Sequence, residues 1–361
     1  MEIDMRMKKI LAIALACVCA AGLTACGGAG DGQAASGSGS VSSVSGEAAE
    51  SESAAGGELT QIDVVLDWYP NAIHTFLYYA QENGYFEDEG LDVNLISPAE
   101  SIDAITFVAS GRAQIGLTYP VEIVQAVESD MPVKALASVC AGQLDCLCSL
   151  ASNTDITADM ATLKGKTVGY AGTSLAEATI RTITRNAGLE DSDYELLNVG
   201  YDLVTSLTTG SVDLVVGTFI NDEVITMQNA GYELNIFYEQ DYGFPELYGL
   251  VMAVNDDSYS ASPEVYEGFL RACEKGFEDM KSDEDAALEL IMSKMNSDDN
   301  PLDEDQQRQS YEILMDKMET EEEPFLTMSD EKWQDIIDWM KESGLAVAEI
   351  KASDVIVQNN E

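Results

Sequence analysis

Basic residues are scarce in this chain, which has 18 Lys and Arg against 65 Asp and Glu and a formal net charge of −47. A surface this negative repels nucleic acid, anionic lipid headgroups and, at long range, anionic solutes. The composition therefore excludes nucleic acid as a partner and favours neutral or cationic ones.

The sequence also lacks an N-terminal apolar run long enough to span a bilayer. The run after Lys9 has roughly 15 apolar and small residues, short of the ~20 that a spanning helix needs. Its ending, Leu-Thr-Ala-Cys at 23–26, resembles a bacterial lipobox. That resemblance implies cleavage of a signal peptide at 1–25, a diacylglyceryl group on Cys26, and an extracytoplasmic protein anchored to the cell membrane by lipid.

Residues 27–58 contain no Lys, Arg or aromatic residue and consist mainly of Gly, Ser, Ala and Glu. Such a segment cannot bury enough apolar surface to offset the entropy of the chain. We predict a flexible tether over 26–58, with a typical span of about 30 Å.

Cysteines are few beyond the anchor: Cys140, Cys146, Cys148 and Cys273 remain. Cys146 and Cys148 are only two residues apart, which is poor spacing for a disulfide, whereas Cys140 could reach either of them. Buried, unreactive thiols are the favoured interpretation, and a disulfide or a metal role stays an alternative.

From residue 59 onward, short β-branched runs alternate with helical segments, a pattern typical of βαβ units and a mostly parallel sheet. A first series has predicted strands at 62–67, 91–97, 113–119 and 133–139, and a second has them at 166–171, 194–200, 213–219 and 234–239. A strand at 246–256 is predicted to return to the first series, and 329–344 is predicted to be an amphipathic helix capped by Ser329. The chain thus crosses twice between two α/β lobes, which predicts a hinge and a cleft. We assign 59–147 and 246–361 to lobe 1 and 148–245 to lobe 2.

The stretch LDWYPNAIHTFLYYAQENGYFEDEGLDV at 66–93 resembles the solute-binding proteins of ABC importers in the SsuA/THI5-like superfamily. Looser matches are GLTYPVEIV (116–124), GYAGTSLAE (169–177), LVVGTFINDE (214–223) and YGFPELYGLVMAVND (242–256). The chain is most similar to the branch that carries thiamine pyrimidine precursors such as hydroxymethylpyrimidine. The resemblance implies a type II periplasmic-binding-protein fold that delivers its solute to a permease and an ATPase. We expect a monomer that has no cofactor, no metal and no enzymatic activity.

Ligands of open α/β sheets bind beyond the carboxyl ends of the strands. The candidate residues at these ends, and on the helical turn after the first strand, are Trp68, Asn71, His74, Tyr119, Thr173, Asn221 and Glu223. Trp68 and Tyr119 can stack on a flat heterocycle, and Asn221 and Glu223 can form hydrogen bonds with its edge. The resemblance to the family implies that Glu223 is the residue that recognises the pyrimidine. Packing roles for Trp68 and Tyr119, helix capping by Thr173 and a solvated first-turn position for Glu223 remain alternatives.

Two other functions stay open. The first is binding of a different solute: nitrate, a sulfonate or taurine, or a riboflavin-type solute. The anionic ones need cationic donors, yet no Lys or Arg is predicted at a strand's carboxyl end. The other function is enzymatic, because His74 matches the histidine that THI5-like pyrimidine synthases consume as substrate, in a reaction that resemblance would link to pyridoxal phosphate and iron.

We predict that Cys26→Ser releases the protein from membranes, because the anchor is the lipid on that sulfur. Sedimentation of membranes from cells that lack the permease tests this. Continued co-sedimentation of the variant with membranes would contradict the predicted anchor.

Overall fold

The computed structural model describes residues 59–97, 103–200, 202–297 and 300–357. The predicted signal peptide at 1–25, Cys26 and the whole predicted tether up to residue 58 lie outside these residues. The two lobes of the fold lie within one compact unit, Gly56–Glu361.

Ten strands are present in the described part of the chain, and they form two five-stranded sheets. The strands are Thr60–Val65 (β1), Leu91–Ile96 (β2), Ile115–Thr118 (β3), Val133–Cys140 (β4), Asp145–Leu150 (β5), Thr167–Tyr170 (β6), Glu195–Asn198 (β7), Leu214–Phe219 (β8), Leu234–Phe237 (β9) and Leu250–Asn255 (β10). The predicted strands of both series are confirmed, and β5 is an additional strand that the sequence pattern did not reveal.

The two sheets follow one plan, with orders β2-β1-β3-β10-β4 and β7-β6-β8-β5-β9. Three strands of each sheet pair in parallel, and the fourth strand in each order is antiparallel to both of its neighbours. That strand is the one that arrives from the other lobe, β10 in the first sheet and β5 in the second. The predicted architecture of two α/β lobes with mostly parallel strands is therefore confirmed. One antiparallel strand makes each sheet mixed, and the second sheet begins at Asp145.

Helices cover the sheets and form most of the C-terminal third. They are Thr75–Glu82 (α1), Tyr85–Asp88 (α2), Asp103–Ala109 (α3), Pro120–Glu128 (α4), Ser174–Asn186 (α5), Leu203–Thr208 (α6), Glu223–Asn229 (α7), Asp256–Ala261 (α8), Pro263–Ser282 (α9), Glu284–Lys294 (α10), Glu304–Met315 (α11), Asp330–Ser343 (α12) and Ala352–Val355 (α13). Among the described helices, none has both the length and the apolar character to cross a membrane.

The first sheet is buried on both faces, as expected for strands that read as continuous apolar runs. Phe76 of α1 and Phe277 of α9 belong to the cluster on one face, and Trp333 and Ile337 of α12 belong to the cluster on the other. Helix α12 has the predicted cap, since Ser329 Oγ accepts a hydrogen bond from Lys332 N–H at 3.3 Å.

Two crossovers, 141–144 and 238–249, connect the lobes and lie against each other. A Cβ on Gly249 would sit 2.6 Å from the Gly142 carbonyl oxygen, so only glycine fits this contact. Gln143 joins the crossovers by donating to the Glu239 carboxylate and accepting from Gln240 Nε2 at 3.0 Å. These contacts mark the predicted hinge.

The four cysteines in the described residues, Cys140, Cys146, Cys148 and Cys273, are all free and buried. Cys146 and Cys148 lie on β5 with their sulfurs 3.6 Å apart, and both contact the Thr218 hydroxyl. The favoured interpretation of buried thiols is confirmed.

Helix α9 packs against α1 so closely at Gly276 that an added Cβ would lie 2.1 Å from the Phe76 carbonyl oxygen. We predict that Gly276→Ala lowers the free energy of unfolding by about 1–3 kcal/mol or more, because the helices must separate. Urea denaturation measures the change.

Gly268→Ala on the same helix is the matched control. Its Cβ would meet no heavy atom closer than 3.4 Å, and alanine gains about 0.5–1 kcal/mol of helix propensity over glycine. Equal destabilisation by the two variants would show that the close approach at Gly276 is not what limits the packing.

Candidate functional site

A cavity of about 180 Å³ lies between the lobes, where the segments after β1 and β8 face each other. Trp68, Tyr69 and Asn71 line it from lobe 1, and Asn221 and Asp222 line it from lobe 2. The rest of the lining comes from the loop before α11 and from α11 itself: Asn300, Pro301, Leu302, Asp303, Gln306, Gln307 and Ser310. The volume is below the 300–1,000 Å³ or so typical of sites for drug-sized ligands, so the cavity suits a small solute.

Trp68 presents its ring to this cavity rather than to a core. Its exposed fraction is 42%, and its ring meets that of Tyr69 edge to face at 6.0 Å. The alternative that Trp68 fills a core is therefore wrong. Two aromatic rings at the rim provide apolar surface for a flat ligand.

His74 is fully buried and both of its ring nitrogens are engaged. Nδ1 accepts a hydrogen bond from Asn71 N–H at 3.2 Å, so the ring proton lies on Nε2, which is 2.9 Å from Asp67 Oδ1. The other Asp67 oxygen accepts from the Tyr119 hydroxyl at 3.0 Å. The imidazole thus fixes the backbone of the segment that carries Trp68, and it does not line the cavity.

Tyr119 and Glu223 both contact Phe219, at the end of β8. The Tyr119 and Phe219 rings are 6.4 Å apart across the cleft, and Glu223 Oε2 accepts from Phe219 N–H at 2.9 Å. Burial raises the pKa of Tyr119 well above its usual value, with the Asp67 carboxylate adding to the shift. Tyr119 and Glu223 therefore belong to a layer that adjoins the cavity lining.

The Glu223 carboxyl is poorly solvated and surrounded by other acids. Burial, followed by the nearby Asp222 carboxylate, raises the pKa of Glu223 to about 7. Glu223 is thus not a fully solvated first-turn acid, and near neutral pH its carboxyl can either donate or accept a proton.

Asn221 has one amide atom bonded and the other unused. Its Nδ2 donates to Ser310 Oγ at 3.3 Å, while its Oδ1 is buried without a hydrogen-bond partner among the described residues. A buried carbonyl oxygen without a partner costs about 1–3 kcal/mol, so an N–H donor in the adjoining cavity would be bound favourably there.

The structure brings only part of the predicted set together. Trp68, Asn71 and Asn221 line one cavity, and His74, Tyr119 and Glu223 lie in the layer next to it. Thr173 is exposed, and its hydroxyl caps α5 by accepting from Ala176 N–H at 3.2 Å, so it stands apart from the others.

Sequence reasoning missed the lining residues at 300–310, because they follow no strand. Asn300 Nδ2 donates to the Pro70 carbonyl at 2.8 Å, and Gln307 Oε1 accepts from Ala72 N–H at 3.0 Å, so these amides also hold the Trp68 segment. The run NPLDEDQQRQS, rich in amides and acids, was the available signal, but a solvated helix face has the same composition.

Arg112 and Arg181 make contacts that do not involve the cavity lining. Arg112 stacks over the Phe107 ring at 3.9 Å, and Arg181 bonds Glu177 on its own helix. Among the described residues the cavity lining contains no Lys or Arg but does contain Asp222 and Asp303.

Comparisons with known proteins agree with this architecture. The profile of a family described as NMT1/THI5 like matches residues 71–287. A formylaminopyrimidine-binding protein of Halalkalibacterium halodurans is 37% identical over 295 residues, covering 81% of this chain and 88% of that protein. The 4-amino-5-hydroxymethyl-2-methylpyrimidine phosphate synthase THI5 of Saccharomyces cerevisiae is 28% identical over 157 residues, covering 44% of this chain and 46% of that enzyme. The crystal structure of the periplasmic aliphatic sulphonate binding protein SsuA from Escherichia coli has a TM-score of 0.65 at 14% identity, covering 83% of this chain and 98% of that one.

We predict that Glu223 makes stability depend on pH. An acid whose pKa is raised on folding stabilises the native state below its unfolded pKa, and this contribution is lost as pH rises through the folded value. The free energy of unfolding of the parent should therefore fall relative to that of Glu223→Gln between pH 4.5 and about 8, by no more than about 3 kcal/mol.

Urea denaturation at several pH values measures this difference. Glu264→Gln, at an exposed first-turn position of α9, controls for the loss of a carboxyl near a helix start. A constant difference between Glu223→Gln and the parent across this range would refute the assignment.

Proposed function

The chain belongs to the NMT1/THI5-like family, and from that premise we propose that it is the solute-binding lipoprotein of an ABC importer, with a thiamine pyrimidine precursor or a similar small heteroaromatic solute as its ligand. The protein captures this solute outside the cytoplasm, closes its lobes around it and delivers it to a permease driven by a separate ATPase.

One observation carries the proposal: the buried Asn221 Oδ1 without a partner adjoins a cavity rimmed by the exposed Trp68 ring. An aminopyrimidine supplies what both groups need, a flat π face for the indole and an amino N–H for the carbonyl oxygen. Stacking of this kind contributes about 0.5–1.5 kcal/mol beyond the burial of area.

Glu223 lies two residues after Asn221 and would bind the ring nitrogen and the amino group at the ligand's edge. A carboxyl with a pKa near 7 can share a proton with a ring nitrogen while its second oxygen accepts from the amino group. Such a charge-assisted pair of hydrogen bonds is stronger than a neutral pair. Glu223 is therefore the residue that we expect to recognise the pyrimidine.

The charge of the lining favours this ligand over anions. Asp222 and Asp303 border the cavity and no cation does so among the described residues, so a sulfonate, a nitrate or a phosphate ester would meet repulsion there. Similarity to a sulfonate-binding protein at 14% identity concerns the fold alone. A riboflavin-type solute would need more room than about 180 Å³.

The geometry of His74 favours a binding protein over a synthase. An imidazole that is consumed as a substrate must be accessible, whereas this ring is 0% exposed and bonded at both nitrogens. We therefore assign His74 a structural role and expect no cofactor.

The anchor and the assembly belong to the same proposal. Lipid on Cys26 and a tether over 26–58 would hold the binding domain as a monomer on the outer side of the cell membrane, within reach of the permease. This arrangement keeps the captured solute close to its transporter.

We predict that Trp68→Ala weakens binding of every planar ligand, whereas Glu223→Gln selectively weakens aminopyrimidines. Loss of a hydrogen bond to a charged group costs about 1.5–3 kcal/mol, which is about 10- to 150-fold in affinity. Calorimetric titration with hydroxymethylpyrimidine, its formylaminomethyl analogue and a planar heterocycle without an amino group separates the two effects.

Tyr232→Ala is the aromatic control, because Tyr232 is 39% exposed and does not line the cavity. A thermal midpoint for each empty variant checks folding. Parent-like affinity of Glu223→Gln for hydroxymethylpyrimidine would remove Glu223 from the site.

A further inference from the structure

Helix α11 is seated on lobe 1. Gln307 accepts from Ala72 N–H, and the Tyr311 hydroxyl donates to the Met280 carbonyl of α9 at 2.7 Å. Arg308 pairs with Glu284 at 2.6 Å at the start of α10. The helix therefore moves with lobe 1.

The same helix directs a second set of side chains to lobe 2. Gln306 Nε2 donates to Asp222 Oδ1 at 2.8 Å and to Thr226 Oγ1 at 3.2 Å. One turn further, Gln309 Nε2 donates to Asn229 Oδ1 at 3.2 Å. With the bond from Asn221 to Ser310, these contacts run along one side of α11, at positions 306, 309 and 310, and bridge the cleft to α7 and the turn before it.

These bonds join the two lobes at a distance along the chain from the hinge. The crossovers 141–144 and 238–249 are the covalent connections between the lobes in the described residues, and α11 bridges the lobes separately from them. Opening at the hinge would separate α11 from α7 and break the bridging bonds together.

We propose that α11 is the latch of the cleft, with Gln306 and Gln309 as positioning residues that set ligand affinity through the closure of the lobes. The latch also orients the site, because Ser310 holds the Asn221 amide with Oδ1 free for a ligand. The effect on affinity rests on the proposed binding function, whereas the effect on closure does not.

The latch affects ligand affinity through the fraction of molecules whose lobes are closed. If only the closed form holds the ligand fully, the apparent Kd equals the intrinsic Kd divided by the closed fraction. Breaking the latch lowers that fraction, so the ligand escapes faster. The association rate is not reduced, since the open cleft admits the ligand freely.

The first experiment needs no ligand. Hydrogen–deuterium exchange of the full chain in detergent compares the empty parent with the double variant Gln306→Ala/Gln309→Ala, in peptides that cover α7 and residues 72–75. We expect exchange in these peptides to rise several-fold, with little change in β1 and β2. Arg308→Ala is the control on the same helix, because its partners lie within lobe 1.

The second experiment uses stopped-flow binding of hydroxymethylpyrimidine and its formylaminomethyl analogue. The double variant should raise Kd by about 3- to 30-fold through a faster dissociation rate, with a thermal midpoint close to the parent's. Gln309 does not line the cavity. If the single variant Gln309→Ala also raises Kd through faster dissociation, by a smaller factor, loss of a direct ligand contact is not the cause.

Unchanged exchange in α7 for the double variant would overturn the latch, whatever binds. Raised exchange together with no binding of either pyrimidine to the parent would support the latch and refute the proposed ligand. Raised exchange with an unchanged dissociation rate of a bound pyrimidine would refute control of affinity by the latch.

Discussion

The buried carboxylate of Asp67 is the interaction on which the rest of the site depends. It lies just after β1 and accepts from the His74 ring on one oxygen and from the Tyr119 hydroxyl on the other. His74 in turn accepts from the backbone of Asn71. The loop that exposes Trp68 is thereby fixed at both ends to neighbouring elements, and an exposed aromatic ring can keep one position without a core around it. Removal of one partner would leave a buried polar group without its hydrogen bond, which costs about 1–3 kcal/mol and more where the group is charged.

An excess of acid shapes both the chemistry and the selectivity of the cleft. Burial raises the pKa values of Asp145 at the start of β5, Glu223 at the start of α7 and Glu239 in the 238–249 crossover. These groups lower stability as pH rises, and groups with strongly shifted pKa values cluster at functional sites. A ligand that shares a proton with Glu223 relieves part of that cost, so binding and stability are linked at this residue.

The sequence predicted the parts of the site that obey a topological rule. Trp68, Asn71 and Asn221 follow strands, and the rule that ligands bind beyond strand ends placed them at one cavity. Helix α11 escaped prediction because its contribution depends on how the C-terminal helices return to the first lobe, which local pattern does not encode. Strand β5 escaped because Asp-Cys-Leu-Cys-Ser-Leu has neither the β-branched residues nor the alternation of a typical strand, and it is a strand because β8 and β9 pair with it on both sides. Thr173 also follows a strand, yet it does not line the cavity, and its hydroxyl caps α5.

A thermal-shift series on the parent protein tests whether this cleft holds an uncharged or cationic amino-heterocycle. The panel contains hydroxymethylpyrimidine, its formylaminomethyl analogue, thiamine, riboflavin, taurine, an alkanesulfonate and nitrate. We expect the Tm to rise with one of the two pyrimidines, by an amount that grows with ligand concentration, and not to rise with the anions. A rise with taurine or the alkanesulfonate alone would contradict the account.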